Sequence, residues 1–164
     1  MTDDQARRQA IEQLAELIAD IPVAMLTTTA PDGSLFSRPM VNINAKFQGE
    51  LWFFTRLDDP KVEEIRAQPH VNVSFSSPAH QQFVSVTGVG SIVQDAKRCE
   101  LLWNDACKPW FPDGPRDPQL ALIKIDVEHA EYWDANRNAM VAMIVRGLTG
   151  RTAAQQMRHG KVDW

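Results

Sequence analysis

Three short stretches carry side chains that could do chemistry together. Ser37-Arg38-Pro39-Met40 places a guanidinium and a proline in mid-strand, where proline cannot donate to a ladder and so implies an edge or a ligand-facing stretch. Thr55 and Arg56 end a second strand-like run, and Lys61 falls in the first turn of the helix expected after it. A hydroxyl, two cations and a helix N-terminus suit a phosphate: backbone N–H groups point outward, while the ammonium and guanidinium neutralise the charge. Asp58 and Asp59 share that turn. Their ordinary role is helix capping, and a nearby carboxylate opposes an anion unless it is turned away.

Other chemistries find little support. His70, His80, His129 and His159 lack His-x-x-x-His spacing and there is no Cys-x-x-Cys, so no metal site is expected. No Gly-x-Ser-x-Gly elbow, Gly-x-x-x-x-Gly-Lys loop or Gly-x-Gly-x-x-Gly fingerprint occurs, which removes the usual basis for a hydrolase or a nucleoside-triphosphatase. Gly88 and Gly90 lie inside a strand pattern and serve backbone geometry. Cys99 and Cys107, if joined by helix, stand on the order of 12 Å apart, beyond disulfide reach, and read as free packing thiols of a cytosolic protein.

The elements that must position these residues fit one domain, since 164 residues exceed the common domain size only slightly. With 44% hydrophobic and 23% charged residues, the chain is globular rather than disordered. Seventeen Lys and Arg against 21 Asp and Glu give a net charge of −4 with no basic block, which argues against nucleic-acid binding. The acidic, polar N-terminus does not resemble a secretion signal, and the apolar run from Ala139 to Val145 is far shorter than the roughly 20 residues that span a bilayer. No membrane partner is expected, and the predicted location is the cytoplasm.

Apolar residues at a spacing near 3.6 predict an amphipathic helix over 6–19 that covers a sheet edge or barrel mouth. Strands are expected over 23–29 and 35–44, joined by the hairpin turn Pro31-Asp32-Gly33-Ser34. Phe47-Gln48-Gly49-Glu50 is a second hairpin turn, leading into the strand Leu51-Trp52-Phe53-Phe54-Thr55. Asp59 as N-cap and Pro60 at the first helical position open a helix that Pro69 stops. Strands follow over 71–75 and 83–93, then a helix over 95–107. A loop containing Pro109, Pro112, Pro115 and Pro118 holds Trp110 and Phe111, large aromatics that such a loop rarely carries without something to cover. A strand segment over 119–134, broken near 127–130, precedes a helical pattern from 139 that fades into a polar tail. Tight turns make the sheet mainly antiparallel, and its bends favour a small six-stranded Greek-key barrel with flanking helices, mainly β within the α+β class. The domain runs over 1–145 and the tail over 146–164.

Arg38-Pro39-Met40, Leu51-Trp52-Phe53-Phe54-Thr55, Lys61-Val62 and Pro69-His70-Val71-Asn72-Val73, in that order, resemble the pyridoxamine 5'-phosphate oxidase-like flavin-binding split-barrel superfamily. Trp110-Phe111-Pro112-x-Gly114-Pro115-x-Asp117-Pro118 and Ala130-Glu131-Tyr132-Trp133-Asp134 resemble its general stress protein 26 branch. The resemblance implies a six-stranded split barrel, a homodimer, and one flavin mononucleotide (FMN) in each of two clefts between protomers. On this sequence, Arg38, Pro39, Met40 and Val41 would line the isoalloxazine and ribityl region, with Phe53, Phe54 and Thr55 as the next wall. Lys61, with Arg38 or Arg56, would hold the phosphate. Trp110 and Trp133 would come from the partner or the cleft rim. The turn Arg56-Leu57-Asp58-Asp59-Pro60 is more acidic than the resemblance implies.

Three functions stay open at this point. A flavin-dependent oxidoreductase acting with a small-molecule reductant or substrate needs no side-chain base, which fits the missing catalytic constellation. The alternative is a non-catalytic protein that stores or senses FMN. A true pyridoxamine 5'-phosphate oxidase needs a second basic cluster, and Arg146, Arg151 and Arg158 fall in the tail.

Overall fold

The computed structural model describes residues 3–44, 46–134 and 139–143. Helix α1 (Asp3–Ala19) leads into strands β1 (Val23–Thr29), β2 (Leu35–Val41) and β3 (Glu50–Arg56), then helix α2 (Pro60–Ala67). Strands β4 (His70–Ser77) and β5 (Gln82–Val93) follow, then helix α3 (Ala96–Leu102), and strands β6 (Leu120–Asp134) and β7 (Ala139–Met143). All pairings are antiparallel, in the order β2-β1-β4-β5-β6-β3, with β7 also against β6. The six-stranded path curls into the expected split barrel.

Local chemistry made the β1–β2 hairpin. Gly33 takes φ of +85°, which a side chain would resist, and Asp32 Oδ1 accepts from the Ser34 amide at 2.9 Å. Phe47–Glu50 also turns, but β2 and β3 do not form the hairpin that the sequence predicts. β3 crosses instead to β6, pairing Phe53 with Ile123, because its apolar residues need a partner strand deep in the core.

β2 and β3 are therefore the two ends of the path, and the barrel is split between them. One side chain bridges the split. The Asn44 amide accepts from the Trp52 amide at 2.6 Å and donates to the Trp52 carbonyl at 3.0 Å, imitating one rung of a ladder. Asn42 holds Asn44 in place and donates to the carbonyls of Ile18 and Ile21, each at 2.8 Å. These bonds explain why the second strand ends at Val41 rather than at residue 44.

Leu14 and Ile18 of α1 are fully buried in the main core with Leu26, Val73, Phe75 and Phe53, so α1 does pack over the barrel interior. Alternation along β3 sends Leu51 and Phe53 into that core and Phe54 to the opposite face. There Phe54 joins Leu120, Leu122, Cys99 and Cys107 in a second cluster, with Trp103 and Phe111 against it. Both cysteines are free, and burial pushes their thiols up, away from the reactive thiolate.

Three further expectations change. The helix predicted over 95–107 ends at Leu102, and a separate 3-10 turn spans Asp105–Cys107, capped by the Asn104 side chain on the Ala106 amide. The strand predicted to break near 127–130 is continuous; the irregularity is a bulge in which Glu128 has no partner between Thr87–His129 and Gly88–Val127. Residues 139–143, read as helical, form a strand on β6, since their apolar run suits a strand as well as a helix. The tail over 146–164, with Arg146, Arg151 and Arg158, lies outside the described residues. No helix among the described residues is long and apolar enough to cross a membrane.

Candidate functional site

Beside the split, β2, the end of β3, the start of α2 and the proline-rich loop enclose a cleft of about 380 Å³. That is within the range of small-molecule sites, roughly 300–1,000 Å³. Arg38, Pro39, Met40 and Val41 form one side, and Phe54, Thr55, Arg56 and Lys61 form another. Trp110 and Phe111 close the rim from the same chain, joined by Val23 and Asp59. A concavity of about 310 Å³ under α1 is lined by Glu16, Asp20 and Asp134, whose carboxylates would repel a phosphate.

The cleft has an apolar part and a charged end. Phe54 meets Trp103 edge-on at 5.6 Å and Phe111 at 6.1 Å, which fixes the aromatic wall. The proline loop is a succession of turns, with the amides of Trp110 and Phe111 both bonded to the Cys107 carbonyl at 3.0 Å. Asp117 ties this loop to Arg56 at 3.1 Å, and Arg56 also pairs with Asp58 at 3.1 Å. β2 is an edge strand, so part of its backbone has no ladder partner and can meet a ligand's polar atoms. Pro39 sits on this edge, where its missing N–H costs no bond.

Every cation at the charged end has a carboxylate. Arg38 reaches Glu64 Oε2 at 2.9 Å and Oε1 at 3.1 Å; it also donates to Thr28 Oγ1, which donates to Glu64 Oε2, both at 2.5 Å. Lys61 Nζ contacts Asp59 Oδ2, while the Lys61 amide donates to Asp59 Oδ1 at 3.1 Å and caps α2. Burial opposes ionisation of Asp59, but the hydrogen bonds from Lys61 and the charges of Lys61 and Arg38 together hold its pKa below the ordinary 3.8. Because the folded pKa is lowered, this pair stabilises the fold above the ordinary value and is lost as pH falls through the lowered one.

Most residues singled out from the sequence thus meet in one cleft. Phe53 does not line it, being fully buried in the main core on the other face of β3. Trp133 stands apart on β6, opposite Phe83 on β5. Glu64 and Asp117, partners of two of the cations, carry no local sequence signal: each acts on a residue far along the chain. Among the described residues, no group of three or more His, Cys, Asp or Glu could hold a metal ion.

A mainly β split barrel with a cleft of this composition defines a class, and the chain belongs to it: the pyridoxamine 5'-phosphate oxidase-like family, whose sequence model matches residues 9–156. Within that family its likeness is to the general stress protein 26 branch. General stress protein 26 from Bacillus anthracis superposes with a TM-score of 0.64 at 25% identity, over 76% of this chain and 92% of that one. The general stress FMN/FAD binding protein of Xanthomonas citri superposes with a TM-score of 0.65 at 26% identity, over 93% and 99%. Protein bli-3 of Neurospora crassa is 29% identical over 158 residues, 88% of this chain and 76% of that protein.

Proposed function

We propose that the chain binds FMN in this cleft and works in the cytoplasm as a flavin-dependent oxidoreductase on a small molecule. The observation that carries this reading is the pairing, within one cleft, of flat apolar walls at Met40, Phe54 and Trp110 with cations at Arg38, Arg56 and Lys61. The donor set fits a tricyclic ring with an anionic tail. Bound flavin would supply hydride or electron transfer. The chain's own residues would orient the ring against Phe54, meet its polar edge with the β2 backbone, and hold the tail with Lys61. Trp110, at the rim, would exclude water from the ring.

A second copy of the chain completes this reading. Val23, Met25, Phe83 and Trp133 are exposed on one outer face of the sheet, and Val23 also lines the cleft. An apolar face continuous with the site suits a symmetric partner, which would also bring Trp133 near a cleft. Light scattering is expected to give twice the chain mass of 18.5 kDa. A monomeric mass at micromolar protein would contradict the dimer.

FMN titrated into the protein should lose its emission beside Trp110, and an unchanged spectrum would remove the flavin reading. The Lys61→Ala variant should weaken FMN by roughly 100-fold, because it removes a cation and leaves Asp59 facing the phosphate, while riboflavin binding stays the same. Equal loss for both ligands would place the phosphate elsewhere. The lining also favours a second reading, a flavin store or sensor, since it includes no His, Cys or Tyr and its one carboxylate is held by Lys61. Anaerobic mixing of the loaded protein with reduced nicotinamide cofactor separates the two: bleaching supports the oxidoreductase, persistent colour the store.

A further inference from the structure

Of the carboxylates that neutralise the charged end, Glu64, Asp58 and Asp117 do not line the cleft, whereas Asp59 is itself part of its lining. Its two oxygens do different things. Oδ1 takes the Lys61 amide and caps α2; Oδ2 takes the Lys61 ammonium. These are the two donors that a phosphate would use at this helix start, one from the backbone and one from the side chain. The Lys61 side chain is 8% exposed, so its ammonium has little water to fall back on and must have an anion beside it.

We infer that Asp59 sets the specificity of the cleft by acting as a built-in competitor for the phosphate: an anionic tail must take Lys61 from it. The inference rests on the flavin reading and deepens it. Its consequence is a reduced preference for phosphorylated over unphosphorylated flavin, since the tail gains Lys61 only by displacing a carboxylate and then lies beside it. Ionisation of Asp59 at neutral pH, favoured by Lys61 and Arg38, keeps the competitor charged. A cap alone does not need this arrangement, because Asn or Ser satisfies the helix start through one oxygen.

The test compares FMN and riboflavin by fluorescence titration of the full-length wild type, Asp59→Asn and Asp59→Ser. Both variants keep a capping oxygen, and neither presents a charge to Lys61. FMN should bind roughly tenfold more tightly to each variant, with riboflavin unchanged. An unaltered FMN-to-riboflavin ratio in both variants, or weaker FMN binding in both, overturns the role of Asp59 while leaving the flavin reading in place. If neither flavin binds any of the three proteins, the flavin reading itself fails and this inference with it.

Discussion

Replacing Glu64 with alanine is expected to destabilise the fold by about 3 kcal/mol. The Glu64 carboxylate is 11% exposed, accepts from both Arg38 and Thr28, and joins α2 to β1 and β2. Its loss leaves the Arg38 guanidinium, only 23% exposed, without a counterion and the Thr28 hydroxyl without its acceptor. An uncompensated buried charge costs more than the pair contributes, which is why the expected effect exceeds that of a surface bridge. Glu64→Gln keeps an acceptor oxygen and should lose about half as much. Urea unfolding of the three proteins measures this. A Glu64→Ala midpoint equal to that of the wild type would mean that Arg38 is held by something else.

Gly88→Ala is expected to cost about 3 kcal/mol for a different reason, steric overlap within the sheet. A Cβ at Gly88 would lie 2.3 Å from the Asp126 carbonyl oxygen and 2.9 Å from Ile125 Cγ2. The first atom belongs to the main chain of the paired strand, next to the Glu128 bulge, and cannot turn aside without opening β5–β6. At Gly90 the nearest atom is Ile65 Cγ2 at 3.1 Å, a side-chain methyl that can move. Gly90→Ala should therefore lose under about 1 kcal/mol. Thermal unfolding of the two variants side by side checks the contrast, and equal losses would contradict it.

The features legible in the sequence were those decided by neighbours along the chain. Asp32 and Gly33 specify their turn, Asp59 and Pro60 specify the start of α2, and Gly88, read as serving backbone geometry, lies at the bulge. That Thr55, Arg56 and Lys61 share one cleft was readable because a strand end and a helix start bring these side chains together locally. Pairing over long separations was not readable. Nothing around Leu51–Thr55 says that β6 rather than β2 is the partner of β3, and nothing around Glu64 says that it meets Arg38. Phe53 and Phe54 illustrate a further limit: strand alternation divides them between two cores, but which one faces the cleft depends on a partner strand that the local sequence does not name. Asn42 and Asn44 read as the end of the second strand, though the Asn44 amide bridges the split and the Asn42 amide supports it.

The pairing of β3 with a strand 70 positions further on, Phe53 against Ile123, has a bearing on synthesis. While the chain emerges from the ribosome, the β1–β2 and β4–β5 hairpins can zip up from nearby residues, but Leu51-Trp52-Phe53-Phe54 has to wait until residue 120 and beyond are made. During that interval a hydrophobic segment with bare amides and carbonyls is open to other nascent chains. The strand that carries Phe54 into the cleft is thus docked late, and chains stalled before β6 should be the ones that aggregate.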